Sequence, residues 1–288
     1  MATAFLGPRG TFSEDAALSF AGPDAELLAM TSIPALSAAV ETGLAADAVV
    51  PVENSIEGSV SSSLDLLIHE TELRIKAELV VPVRLFLITP PGATLGDIKV
   101  VSSHPNPLGQ SRRFLERILP RAEQVAALST AAAVEEVVAA GDYGRAAIGT
   151  ESAAALFGGR ILAHDIQDLQ TNATRFVVLA RSDAEPTGDD KTAIAFTVRE
   201  NVPGALYKVL RPIAEEGLQL AKVESRPSRE ALFEYVFLAD ILGHRTDPAM
   251  RRVFEAIEPF CGSIKVFGSF PRFPLERFAR RGSSPETA

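Results

Sequence analysis

Four polar stretches of this chain combine residue types and spacings that could do chemistry. The first, Gly7-Pro8-Arg9-Gly10-Thr11-Phe12-Ser13, follows a short apolar run and opens a helical pattern. Backbone N–H groups at a helix start favour an anion, and Thr11 and Ser13 add hydroxyl donors. The same residues also suit a tight turn with a Thr or Ser cap. The second, PVENSIEG at residues 51–58, sets Glu53, Asn54 and Ser55 directly after an apolar strand. There they could orient a substrate or form an Asx-type turn. In the third, SSHPNPLGQ at residues 102–110, two prolines fix the backbone and aim Ser103 and Gln110 at a defined point. His104 could be an acid–base group, but its setting reads as a loop histidine. The fourth is Asn172-Ala173-Thr174-Arg175-Phe176. A Thr hydroxyl beside an Arg at a strand start is a donor next to a carboxylate clamp, or only a strand entry with a surface arginine.

Other chemistries lose weight by absence from the sequence. It contains no P-loop Gly-Lys-Ser/Thr, no G-x-G-x-x-G after a strand, no H-E-x-x-H and no G-x-S-x-G. His69, His104, His164 and His244 lack ligand spacing, so no metal site is expected. Cys261 is the single cysteine, which excludes an intrachain disulfide. The formal net charge of −9 argues against nucleic-acid binding. Residues 1–80 carry a net −9, residues 81–190 a net −3 and residues 191–288 a net +3, so an anionic ligand looks unwelcome in the first segment on average charge. Residues 1–6 lack the basic start and long apolar core of a signal peptide, and no apolar run is long enough to span a membrane. A cytoplasmic location is the expectation.

The elements that must position these loops follow from periodicity. Apolar runs at residues 2–6, 47–51, 100–103, 124–127 and 146–148 read as strands. Helical patterns begin near Phe12 and cover residues 59–68, 107–119, 131–140 and 151–157. Strand–helix alternation predicts an α/β architecture with mostly parallel sheets and ligands at the strands' carboxyl ends. Residues 79–89 read as one extended run crossing to a second sheet, with a return near residues 165–174; two such crossings would hinge two lobes about a cleft. Residues 181–190, RSDAEPTGDD, read as a linker. Beyond it, strands at residues 192–198, 218–225, 232–241 and 263–267, with helices at residues 202–217 and from Asp247-Pro248, give the ferredoxin-like order βαββαβ. The tail beyond Pro271 is polar and reads as loosely held.

Taken together, GPRGTFS, VPVENSIEGS, SHPNPLGQS, AAIGTESAA and NATRF, in that order, resemble prephenate dehydratase. The resemblance extends to about residue 270 through Pro203-Gly204-Ala205-Leu206 and Glu224-Ser225-Arg226-Pro227 of an ACT-type regulatory domain. It implies a two-lobed, periplasmic-binding-protein-like α/β catalytic region at residues 1–181, with lobe 1 at about 1–78 and 166–181 and lobe 2 at about 79–165. It further implies a linker at 182–190, a ferredoxin-like ACT domain at 191–271 and a tail at 272–288. The sequence departs from the family pattern at Thr150, where Ser is expected, and at Ser111, where Cys is frequent. With no chorismate mutase or dehydrogenase segment before residue 2, a single activity is expected.

The implied reaction removes CO2 and water from prephenate to give phenylpyruvate, on the route to phenylalanine, without a metal or organic cofactor. The resemblance implies catalytic roles for Thr174, Arg175, Glu53, Asn54 and Gln110, and substrate contacts from Thr11, Ser55, Ser103 and Phe176. Thr174 would donate to the leaving hydroxyl and Arg175 would clamp a carboxylate. Glu53 would repel the substrate unless it is protonated or aims at the hydroxyl or another side chain. An L-phenylalanine site at a subunit interface is implied for Asn201, Gly204, Ala205, Leu206, Glu224, Ser225 and Arg226, in a homodimer or homotetramer. The residues alone leave two alternatives open: the same fold acting on arogenate, and a non-catalytic amino-acid sensor.

Overall fold

A computed structural model describes residues 1–229 and 234–274. In chain order its elements are β1 (Thr3–Leu6), α1 (Phe12–Ala21), β2 (Leu27–Met30), α2 (Ile33–Glu41), β3 (Asp47–Asn54), β4 (Gly58–Ser59), α3 (Ser61–Asp65), β5 (Arg74–Pro82) and β6 (Phe86–Thr89). Next come β7 (Val100–Ser103), α4 (Pro105–Gln110), α5 (Arg112–Ile118), β8 (Glu123–Ala126), α6 (Thr130–Ala140), β9 (Arg145–Gly149), α7 (Glu151–Phe157), β10 (Arg160–Ala163) and β11 (Ala173–Ala180). The chain continues with β12 (Asp190–Val198), α8 (Ala205–Glu215), β13 (Leu220–Pro227), β14 (Tyr235–Leu242), α9 (Pro248–Ile257) and β15 (Cys261–Pro271).

The predicted α/β alternation yields two sheets in the first two thirds of the chain. One runs β2-β1-β3-β11-β5, with β4 added against β3, and β1 pairs in parallel with both β2 and β3. The other runs β10-β6-β9-β7-β8, with β7 parallel to β8 and β9. The run at residues 79–89 is not a single strand. It divides into β5 of the first sheet and β6 of the second, because Pro82 ends the pairing and residues 83–85 make the crossing.

Side-chain alternation fixes the second sheet between two apolar layers. Leu85 and Leu87 enter one buried cluster with Val101, Leu115 and Ile148, while Phe86 and Ile88 enter another with Val134 and Val137. A period of two sends successive residues to opposite faces, so a continuous apolar run marks a strand covered on both sides. Gly149 is required here: a Cβ would stand 2.5 Å from Val134 Cγ2.

The C-terminal sheet is antiparallel in the order β13-β14-β12-β15. With α8 and α9 on one face it realises the expected ferredoxin-like arrangement. Leu206, Val209, Leu210 and Ile213 of α8 form the inward stripe and meet Met250, Val253 and Ile257 of α9 over Ile194, Phe196 and Ile241. Cys261 is buried in this core, and burial pushes its thiol up to about 11. The expected strand start at Leu232 and the tail from residue 275 lie outside the described residues.

By contacts the chain divides into two compact units. One comprises Met1–Ala39, Leu44–Val60 and Val80–Phe176; the other comprises Val40–Gly43, Ser61–Leu79 and the chain from Val177. Within the second unit, Lys191 Nζ donates to both carboxylate oxygens of Glu78 at 2.9 and 3.0 Å, and Lys265 Nζ donates to the Thr71 carbonyl at 2.7 Å. The segment expected as a linker is strapped down: Asp183 pairs with Arg245 at 2.7 Å and Asp189 with Arg272 at 2.9 Å.

Candidate active site

Within the first unit, β3 delivers Glu53 and Asn54 to the sheet's carboxyl edge, where β11 begins. The Ser55 N–H donates to the Ala173 carbonyl at 2.9 Å. Asn54 Oδ1 accepts from the backbone N–H groups of Ile56 and Glu57 at 3.0 and 3.1 Å, so the Asx-type turn is present. Its Nδ2 donates to Thr174 Oγ1 at 2.9 Å and Asn172 Oδ1 at 3.0 Å, with the Ala173 carbonyl at 3.2 Å. Ser55 Oγ accepts from the Ala173 N–H at 3.0 Å and donates to Asn172 Oδ1 at 3.3 Å. Two segments about 120 residues apart in sequence therefore meet side chain to side chain.

The second sheet contributes through α4. Gln110, at its last turn, accepts from Asn172 Nδ2 at 3.1 Å and donates from Nε2 to Glu57 Oε1 at 3.3 Å. A cleft of about 370 Å³ opens beside this network, lined by Ile56, Glu57, Asn106, Gln110, Leu169 and Asn172 among others. Glu53 finds the partner the sequence left undecided: its Oε2 lies 3.9 Å from Arg175 Nη1, a loose ion pair with 17% of the Arg175 side chain exposed.

Several expected contacts are engaged elsewhere. Ser103 is fully buried and donates to the Ile148 carbonyl at 2.7 Å, tying β7 to β9. Its hydroxyl proton is committed to the pairing of β7 with β9. Phe176 is 1% exposed and is a core residue: β11 has by then entered the sheet, and its residues from 176 to 180 are all buried. Thr11 caps α1, accepting from the Glu14 N–H at 3.4 Å and donating to the Pro8 carbonyl at 3.0 Å. The anion read for the first loop is supplied by the chain itself. Glu14 accepts from the Gly10 N–H at 2.6 Å and from Arg9 Nε at 2.8 Å. His104 is the loop histidine expected, with Nδ1 accepting from the Asn106 N–H at 3.4 Å at the start of α4.

Asn172, 1% exposed, was the residue missed. It stood in the NATRF stretch but carried no assigned role, because its partners Asn54 and Gln110 are 118 and 62 residues away.

The first loop also joins α7. Thr150 Oγ1 donates to the Gly10 carbonyl at 2.8 Å, and Gly10, at φ 77°, packs against Ala153. Nearby, burial pushes the Asp15 carboxyl up from its ordinary 3.8; a hydrogen bond from Ser152 opposes the shift, and Glu14 and Glu151 add to it. A folded carboxyl raised above its unfolded value destabilises the fold above the raised value, and this penalty fades as pH falls towards 3.8. Asp15→Asn is therefore expected to raise Tm near neutral pH, with the gain disappearing near pH 4 in a thermal melt series.

In the second unit, Gly204 takes φ 82° as the cap of α8, and Ala205 and Leu206 form its first turn. Glu224, Ser225 and Arg226 lie on the edge strand β13. Arg226 Nη2 binds Asp65 Oδ1 at 3.2 Å, and Glu224 pairs with Lys222 at 3.1 Å. A cavity of about 590 Å³ includes Asn201 but none of residues 224–226, since β14 separates β13 from β12.

A family model described as prephenate dehydratase matches residues 3–184. The prephenate dehydratase of Mycolicibacterium vanbaalenii is 38% identical, over 93% of this chain and 90% of its own. The structure is similar to that of prephenate dehydratase in complex with L-Phe from Arthrobacter aurescens: TM-score 0.87 and 34% identity, covering 98% of this chain and 97% of that one. It is equally similar to GqqA, described as a novel type of quorum quenching acylase: TM-score 0.87 and 31% identity, covering 96% and 100%. Among the described residues no helix is long and apolar enough to cross a membrane.

Proposed function

The chain belongs to the prephenate dehydratase family, and from that premise we propose that its cleft converts prephenate to phenylpyruvate with Asn54, Gln110, Thr174 and Arg175 acting on the substrate. The observation that carries the residue roles is the 2.9 Å hydrogen bond from Asn54 Nδ2 to Thr174 Oγ1. It occupies an acceptor site of the threonine hydroxyl, so the Thr174 proton is directed away from Asn54.

The chemistry needs such a donor. Prephenate is a dianion. Loss of its ring carboxylate as CO2 pushes an electron pair into the ring, and the hydroxyl at the opposite ring carbon departs as hydroxide, leaving the aromatic ring of the phenylpyruvate monoanion. The hydroxide takes up a proton and leaves as water. A threonine hydroxyl is too weak an acid for full transfer, but a hydrogen bond that tightens as oxygen gains charge lowers the barrier. Arg175 holds a substrate carboxylate through its planar fork, displacing the loose contact with Glu53. Glu53 orients that guanidinium, and Ser55 supports the Asn54 turn.

The similarity to GqqA raises hydrolysis by a serine nucleophile as another reading. Ser55 disfavours it, because its hydroxyl donates to an amide oxygen, which does not serve as a general base. Incubating the purified protein with prephenate and with arogenate, then assaying phenylpyruvate and phenylalanine, tests the proposal. Phenylpyruvate from prephenate is the expected product; conversion of neither substrate would overturn the reading, and phenylalanine alone would reassign it to arogenate.

The C-terminal sheet serves as an ACT-type regulatory domain at residues 191–271, joined by residues 182–190 to the catalytic region at 1–181. L-Phe is bound in the Arthrobacter aurescens structure. In this chain it would sit between subunits of a homodimer or homotetramer, against the 201–206 segment of one and Glu224–Arg226 of another. The position of β14 between those segments supports an interface site. A ligand shifts activity only by binding two states unequally. Isothermal titration with L-phenylalanine should show binding and the turnover assay should show inhibition; the absence of both heat and inhibition would remove the assignment.

A further inference from the structure

Hydrogen-bond direction in the cleft can be assigned from backbone groups, whose roles are unambiguous. The Ile56 and Glu57 N–H groups donate to one end of the Asn54 amide, which fixes that end as oxygen. Its other end is NH2, consistent with the Ala173 carbonyl beside it at 3.2 Å. The Asn172 atom 3.0 Å from that NH2 must then be its oxygen. Ser55 agrees: it accepts from the Ala173 N–H and so gives its own proton to the same Asn172 oxygen. Asn172 accordingly turns its NH2 to Gln110, which must answer with oxygen at 3.1 Å and present its NH2 outwards, where it lies 3.3 Å from Glu57 Oε1. The chain of assignment runs from the backbone, through one fully buried side chain, to the cleft.

Resting on the reading above, we infer that Asn172 is a positioning residue that sets the polarity of the site: it makes Gln110 a donor to the cleft and holds Asn54 as donor to Thr174. A dianionic substrate needs donors from the walls around it. If Gln110 turned over, its carbonyl oxygen would face the substrate and repel it. Asn172 touches no reacting atom in this scheme; it acts through Gln110, Asn54 and Thr174.

Asn172→Asp tests the inference with a near-isosteric side chain. An ionised carboxylate at position 172 can only accept, so Gln110 must turn its NH2 inwards and its oxygen towards the cleft. A protonated carboxyl offers one donor and one acceptor and can restore the native polarity. The expected result is a kcat/KM about tenfold or more below that of the parent above neutrality, carried mainly by KM, recovering towards the parent value as pH falls. The same variant in a Gln110→Ala background should show little of that recovery. Glu53, Asp168 and Arg175, charged groups on the neighbouring elements, are present in both backgrounds; Gln110→Ala removes the 3.3 Å partner of Glu57, so Glu57→Gln is carried in both backgrounds to take that charge out of the comparison. Asn172→Ala provides a variant without a new charge; its loss of kcat/KM should shrink in the Gln110→Ala background. Equal pH recovery in both backgrounds would mean that charge alone is responsible, and parent-like kinetics for Asn172→Ala would mean that polarity is set elsewhere; either overturns the inference. An inactive parent protein would instead sink the dehydratase reading itself.

Discussion

Thr174→Ala is expected to lower kcat by about a hundred- to a thousandfold, the usual cost of removing one oriented donor from a developing oxyanion, while KM stays within about threefold. The asymmetry follows from where the hydroxyl acts. In the ground state the substrate's ring hydroxyl is neutral and already well solvated, so one hydrogen bond adds little to binding. As the C–O bond breaks, negative charge collects on oxygen and the same bond strengthens. Asn54 helps make the donor ready beforehand, because its NH2 at 2.9 Å from Thr174 Oγ1 keeps the hydroxyl proton from turning towards Asn54 before substrate arrives. Near-normal turnover in Thr174→Ala would take Thr174 out of the mechanism.

Arg175 is expected to show the opposite split. Arg175→Lys keeps the charge but loses the planar fork, and KM should rise about tenfold with a smaller change in kcat. Arg175→Ala leaves the substrate carboxylate without a counter-ion and should cost about a hundredfold or more in kcat/KM. The local charge explains the size of the effect. Residues 1–80 carry twelve acids and three bases, so that segment offers few cations of its own. Arg9 is committed to Glu14 at 2.8 Å. Arg175, from the far end of the catalytic region, is set beside Glu53 and brings a guanidinium to that acidic edge. An unchanged KM in Arg175→Lys would count against a clamp.

What could be read from the sequence was what is local or periodic. The run at residues 79–89 announced extended chain because it is apolar almost throughout; Pro82 divides it between β5 and β6, and Leu85 to Ile88 alternate between two clusters. The βαββαβ order was legible for the same reason: the stripe at Leu206, Val209, Leu210 and Ile213 has helical spacing. Asn54 was legible because its turn is made with its own neighbours, Ile56 and Glu57. Asn172 was not, since a lone asparagine before a strand looks like a turn residue until folding brings it to Gln110. The orientation of Ser103 was not legible for a related reason. A small polar residue at the end of a strand points either to the cleft or to the adjacent strand, and only the register of β7 against β9 decides which. The first loop read either as a cradle for an anion or as a capped turn; the turn is present, with Thr11 as its cap, and the Gly10 N–H meets the carboxylate of Glu14, four residues along the same chain.

In the proposed reaction the Thr174 hydroxyl, oriented by Asn54, assists departure of the ring hydroxyl. The most direct measurement is phenylpyruvate formation from prephenate by Thr174→Ser and Thr174→Val, compared with the parent protein. Serine keeps the donor and loses a methyl group, so its turnover should remain within about tenfold of the parent. Valine keeps the shape of threonine without the hydroxyl, so it should fall about as far as alanine, a hundredfold or more. A valine variant that turns over as fast as the serine variant would contradict the account.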